Sequence, residues 1–161
     1  MAGTYAKNTK VTSSASRDEI ERTLRRFGAG KFGFQTDFDL GVVVIVFERD
    51  GLRVKMVMPL PPREDFEVSP TGKARPDSAI DKDWEQAINQ RWRSLANGVK
   101  AKLALVDDGI STVEQEFFPY IVLPSGRTVF EEAMPQVRWA YELNSAKPME
   151  LSSGGRDNDG I

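Results

Sequence analysis

Residues 42–58 read Val42-Val43-Val44-Ile45-Val46-Phe47-Glu48-Arg49-Asp50-Gly51-Leu52-Arg53-Val54-Lys55-Met56-Val57-Met58.

 The first six residues are β-branched or aromatic without interruption, as expected of a strand covered on both faces. Asp50-Gly51 is a two-residue hairpin signal. After it Leu52, Val54, Met56 and Met58 alternate with Arg53, Lys55 and Val57, the period of a half-buried strand with a basic outer face. Pro59, Pro61 and Pro62 end that strand. Phe32 and Phe34 just before the hairpin are the residues of a further short strand.

On the N-terminal side, Ile20, Leu24 and Phe27 recur at helical spacing, with Ser16 and Glu19 at capping-box distance and Gly28 where a helix ends. The expected helix covers residues 17–27. Residues 1–16 are small and polar and read as a flexible arm.

On the C-terminal side, residues 61–77 hold four of the nine prolines and read as a mobile loop. Trp84, Ile88, Trp92, Leu95, Val99, Leu103 and Val106 then recur every three or four residues, the strongest periodicity in the chain. They predict a long amphipathic helix from about Ser78, with Ser78 and Asp81 as its capping pair, to Asp107-Asp108-Gly109. Ser111 and Glu114 open a short helix. A strand pair follows at 120–123 and 127–129, around Pro124-Ser125-Gly126. Thr128 and Glu131 cap a last helix that reaches Leu143, with Pro135 bending it. Residues 144–161 read as a disordered tail.

Strands cluster instead of alternating with helices. The fold class is therefore α+β, a small, mostly antiparallel sheet covered by the long helix and two or three shorter ones, as one domain over residues 17–143.

The chain has 161 residues and a formal net charge of -2, with no cysteine and no histidine. Those two zeros exclude disulfides, thiolate nucleophiles, Cys/His zinc sites and imidazole acid–base chemistry. No apolar run approaches the roughly 18 residues of a membrane span. The expectations are a cytoplasmic protein, no membrane partner, no cofactor and no enzymatic activity.

Charge is segregated. Residues 86–106 hold Arg91, Arg93, Lys100 and Lys102 and no acid, whereas residues 107–132 hold Asp107, Asp108, Glu114, Glu116, Glu131 and Glu132 against Arg127 alone. With Lys73 and Arg75 in the preceding loop, the cations of the long helix are candidates for a nucleic-acid surface that meets phosphates. Trp92 would be its stacking ring, although helical spacing equally makes Trp84 and Trp92 core residues. The candidate nucleic-acid-binding set is thus Lys73, Arg75, Arg91, Trp92, Arg93, Lys100 and Lys102. The competing readings are a solvated helix whose cations pair with neighbouring acids, and a protein-binding module that inhibits a host factor through the acidic surface at 107–132. Asp107, Asp108, Glu114 and Glu116 also raise a metal-dependent nuclease, set against ordinary helix-stop and capping chemistry. Gly28-Ala-Gly30-Lys31-Phe-Gly33 lacks the spacing of a phosphate loop and follows a helix instead of a strand.

Three stretches taken together carry a resemblance: Ile20-Glu-Arg-Thr-Leu24 to Phe27-Gly-Ala29, Gln90-Arg-Trp-Arg93 to Lys100-Ala-Lys-Leu103, and Gly109-Ile110 to Ile121-Val-Leu-Pro-Ser-Gly-Arg-Thr-Val129. This combination resembles a group of small uncharacterised proteins encoded by tailed bacteriophages and prophages. The resemblance implies a phage-type, non-virion accessory protein of the host cytoplasm. It supplies no functional residues. Joined to the basic helix, it leads to the expectation of a nucleic-acid-binding accessory protein in replication or recombination, with single-stranded DNA as a candidate ligand.

Overall fold

The structure, a computed structural model, describes residues 5–143. The elements are α1 (Tyr5–Arg26), β1 (Lys31–Asp37), β2 (Val42–Arg49), β3 (Leu52–Pro59), α2 (Asp77–Asp107), α3 (Val113–Phe117) and α4 (Val129–Leu143). The strands form one antiparallel sheet in the order β1-β2-β3, so the class is α+β.

The hairpin is built as its turn demands. Asp50 (φ 51°) and Gly51 (φ 77°) both take left-handed backbone, and Arg49 faces Leu52 across the turn. Along β2, Val43, Ile45 and Phe47 are buried, while Val42, Val44 and Val46 are only partly covered. The expectation of a strand covered on both faces is corrected here. Helices pack one face, and the other keeps its valines half-exposed beside Lys55 and Arg53.

The core lies between the sheet and α1, α2 and α3. Ile20 and Leu24 of α1 join Ile88, Trp92, Ala96, Val99 and Leu103 of α2 against Val43, Ile45, Phe47 and Val54. Phe117 of α3 completes it, its ring edge-on to Phe47 at 5.2 Å between centroids.

The termini of α2 fall within one residue of the expected ones. Its start differs in kind: Pro76 precedes the helix with no side-chain cap, and Asp77 and Asp81 instead receive Arg63 at 3.2 and 2.8 Å. Helix α1 begins at Tyr5, not near Arg17, so Ser16 and Glu19 lie inside it. Ser13 is buried and accepts from Arg17 through both its carbonyl (3.2 Å) and its hydroxyl (2.7 Å). Packing along α2 thus carries α1 through a serine-rich stretch of weak helix propensity. At its other end, Gly28 (φ 83°) turns the chain, and Ala29 N–H donates to the Leu24 carbonyl at 2.9 Å.

Residues 61–77, expected as a mobile loop, contain a 3-10 turn (Arg63–Phe66) and a bridge between Val68 and Ala74. The segment is tied to α2 by Trp84, whose indole N–H donates to the Pro61 carbonyl at 2.7 Å. The expected strand pair at 120–129 is reduced to isolated bridges, Val54 with Ile121 and Val122 with Thr128. Tyr120 belongs to a 3-10 turn (Phe118–Tyr120) and Thr128 to the start of α4, which leaves too few residues for a ladder. The C-terminal segment 144–161 and residues 1–4 lie outside the described residues.

Candidate interaction surfaces

Helix α2 carries Arg91, Arg93, Lys100 and Lys102, the loop before it carries Lys73 and Arg75, and most of these cations are already engaged. Arg91 donates to the Pro59 carbonyl at the end of β3. Lys102 reaches α3, donating to the Glu116 carbonyl at 2.9 Å and lying 3.4 Å from its carboxylate. Arg75 holds Asp83 at 2.5 Å and also donates to the Phe66 carbonyl at 3.3 Å. Lys100 lies 3.8 Å from Glu19 of α1, a long, exposed pair. Arg93 and Lys73 are exposed, and neither side chain has a hydrogen-bond or ion-pair partner among the described residues.

Trp92 is 3% exposed. Its ring packs edge-on against Phe34 at 5.7 Å, with the Arg17 guanidinium 5.5 Å from its centroid. A ring so enclosed has no free face for a base, which corrects the stacking role expected of it. The seven predicted residues therefore do not form one surface. Four point to different acceptors, one is core, and two face solvent.

The acidic segment divides in the same way. Glu116 is taken by Lys102. Glu114 sits in the first turn of α3, and hydrogen bonds from its own backbone N–H and the Thr112 side chain hold its carboxyl below the usual range, aided by the charge of Arg49. The cap of α3 is Thr112 with Gln115, not Ser111 with Glu114. The capping box expected at Thr128 and Glu131 is present: Glu131 N–H donates to the Thr128 hydroxyl at 3.2 Å, and Thr128 N–H donates to the Glu131 carboxylate at 2.6 Å. Those bonds, with Lys55 nearby, lower the Glu131 pKa. Among the described residues, no acidic group of three or more gathers closely enough to hold a metal ion. Asp107, Asp108, Glu114 and Glu116 do not come together as such a group.

The surface that sequence reasoning underrated is α4. Its main packing among the described residues is against the 118–120 turn, and Glu131 in its first turn lies 3.5 Å from Lys55 of β3. Every residue from 135 to 143 is exposed, Trp139 by 64% and Tyr141 by 62%. Phe130, Val137 and Tyr141 follow one helical face, and Trp139 and Leu143 another. The signal available in the sequence was this pair of apolar stripes, which no single buried face can accommodate. Phe118 and Ile110 add exposed apolar area near Asp107, Asp108 and Glu114 in the chain. No helix among the described residues is long and apolar enough to cross a membrane.

No family model matches the chain, and no match to it was found among curated proteins or solved structures.

Proposed function

We propose that this chain is a non-enzymatic protein-binding module that docks through α4 and the acidic segment leading to it. The observation that carries this is the exposure of residues 135–143, a helical stretch holding Val137, Trp139, Tyr141 and Leu143. Aromatic side chains of this size supply most of the binding energy of protein interfaces when a partner covers them. Along α4 itself, Glu131 and Glu132 are paired with Lys55 and Arg127, and Glu142 adds an acidic group beside the exposed aromatics, while Asp107 and Asp108 add acid at the end of α2. This acidic content suits a partner with a basic surface. The setting we propose, a phage-type accessory protein that inhibits a host factor in the cytoplasm, rests on the resemblance alone.

The competing proposal is a nucleic-acid surface, for which Arg93 and Lys73 remain as unengaged cations. What favours protein binding is that Arg75, Arg91 and Lys102 satisfy groups within the chain.

The test is capture from nuclease-treated bacterial lysate by wild-type protein and by Trp139→Glu, alongside anisotropy titrations with labelled single- and double-stranded oligonucleotides at two salt concentrations. The expected result is a stoichiometric protein partner that survives nuclease and is lost with Trp139→Glu, while helix content is unchanged. Salt-dependent oligonucleotide binding with no protein partner would overturn the proposal in favour of the cations.

A further inference from the structure

We infer that β1 pairs with β1 of a second copy of this chain, joining two three-stranded sheets into one of six strands. Strand β1 is an edge. One side pairs with β2 over all seven residues, from Lys31 opposite Glu48 to Asp37 opposite Val42. Among the described residues, the other side has no strand beside it. It contains no proline and exposes Gly33, Phe34 and Gln35, so none of these positions blunts the edge.

The register follows from the hairpin. The two-residue Asp50-Gly51 turn makes Arg49 and Leu52 a hydrogen-bonded pair. Hydrogen-bonded positions alternate along each strand, so Glu48, Val46, Val44 and Val42 turn their backbone groups to β1. That leaves the N–H and C=O groups of Phe32, Phe34 and Thr36 directed to the open edge. No backbone partner for them occurs among the described residues.

An isologous antiparallel pairing centred on Phe34 satisfies these groups together. Phe34 meets Phe34 of the second copy, and Phe32 meets its Thr36 on each side of the axis, for about six backbone hydrogen bonds. The same register places Lys31 opposite Asp37 of the second copy, twice. Both residues belong to the sheet face away from the helices, and these are non-hydrogen-bonded sites, where opposed side chains come closest. Lys31 is held within its own chain by Glu48 at 2.7 Å, and Glu48 retains Arg53 at 2.8 Å when Lys31 turns to the new partner. Phe34, 41% exposed on an otherwise helix-covered face, gains a ring across the axis. Phe38, 83% exposed just beyond β1, comes opposite Gly30 of the second copy, where no side chain obstructs it.

The test is the mass of the purified full chain by light scattering across a concentration series. The expected mass is twice the 18.0 kDa of one chain. Phe34→Pro removes an N–H with no backbone partner among the described residues, and it should give a folded monomer by circular dichroism. Asp37→Lys, which also removes the carboxylate that accepts from Leu40 N–H at 2.9 Å, should weaken the dimer about tenfold by setting lysine against lysine, and the double exchange Lys31→Asp with Asp37→Lys, which lacks the same turn bond, should restore it. A wild-type monomer at every concentration up to about 100 µM would overturn the inference. So would a dimer indifferent to the charge exchanges or to a folded Phe34→Pro, since α4 or another surface would then hold it.

Discussion

Individual side chains in this protein differ sharply in what they are worth, and burial decides which matter. Leu103 is fully enclosed between α2 and the rest of the core. Leu103→Ala leaves a cavity that close-packed neighbours fill only in part, at a cost of about 3 kcal/mol. For a chain of this length that is a Tm drop of roughly 6–12 °C, measurable by calorimetry. Arg93→Ala, on the exposed flank of the same helix, should change stability by less than about 0.5 kcal/mol. Equal effects from the two substitutions would contradict the burial that separates them. The same contrast explains the fate of the predicted nucleic-acid set. Charge and proximity in sequence single out its members, and neither property reveals a partner contributed from elsewhere. The Pro59 carbonyl that takes Arg91 and the Glu116 group that takes Lys102 are 32 and 14 residues away.

At the level of elements, strong periodicity made α2 and the β2–β3 hairpin legible almost to the residue. Each is long and has one dominant buried stripe. Where a boundary depends on tertiary packing, sequence reasoning failed. Helix α1 extends twelve residues earlier than its apolar spacing indicates because Ser13 and Arg17 have a neighbour to pack against. The strand pair at 120–129 fails because its ends are claimed by other elements. Helix α4 was located correctly from its cap, but its exposure was not legible, since an amphipathic pattern says that a face will be covered without saying by what. The cap itself makes a prediction. Thr128→Ala removes the hydroxyl that accepts from Glu131 N–H, at a cost of about 1 kcal/mol in denaturant unfolding. Thr128→Ser keeps that oxygen and should recover most of the loss. If serine were no better than alanine, packing of the threonine methyl would be the source of the stability, not the cap.

Across the whole molecule, charge acts through local pairs more than through net charge. Glu48, Glu114 and Glu131 all titrate below the ordinary glutamate value. The main causes are hydrogen bonds from Lys31 and Arg53 to Glu48, from the backbone N–H of Glu114 itself, and from the backbone N–H of Thr128 to Glu131. A carboxylate whose folded pKa lies below its unfolded one binds fewer protons when folded. Its stabilising contribution is complete above the unfolded pKa, about 4.3 for glutamate, and disappears as pH falls through the folded value. Stability should therefore be level near neutral pH and decline progressively in the acid range below that unfolded value. Because none of the three groups is buried, each contributes a shallow slope. Urea unfolding at closely spaced acidic pH values measures the decline directly. Glu131→Gln should lower stability at pH 7 and flatten the curve, because the neutral amide cannot gain a proton as the carboxylate does. A variant curve that ran parallel to wild type through the acid range would show that Glu131 does not couple folding to protons, and the slope would then belong to Glu48 and Glu114.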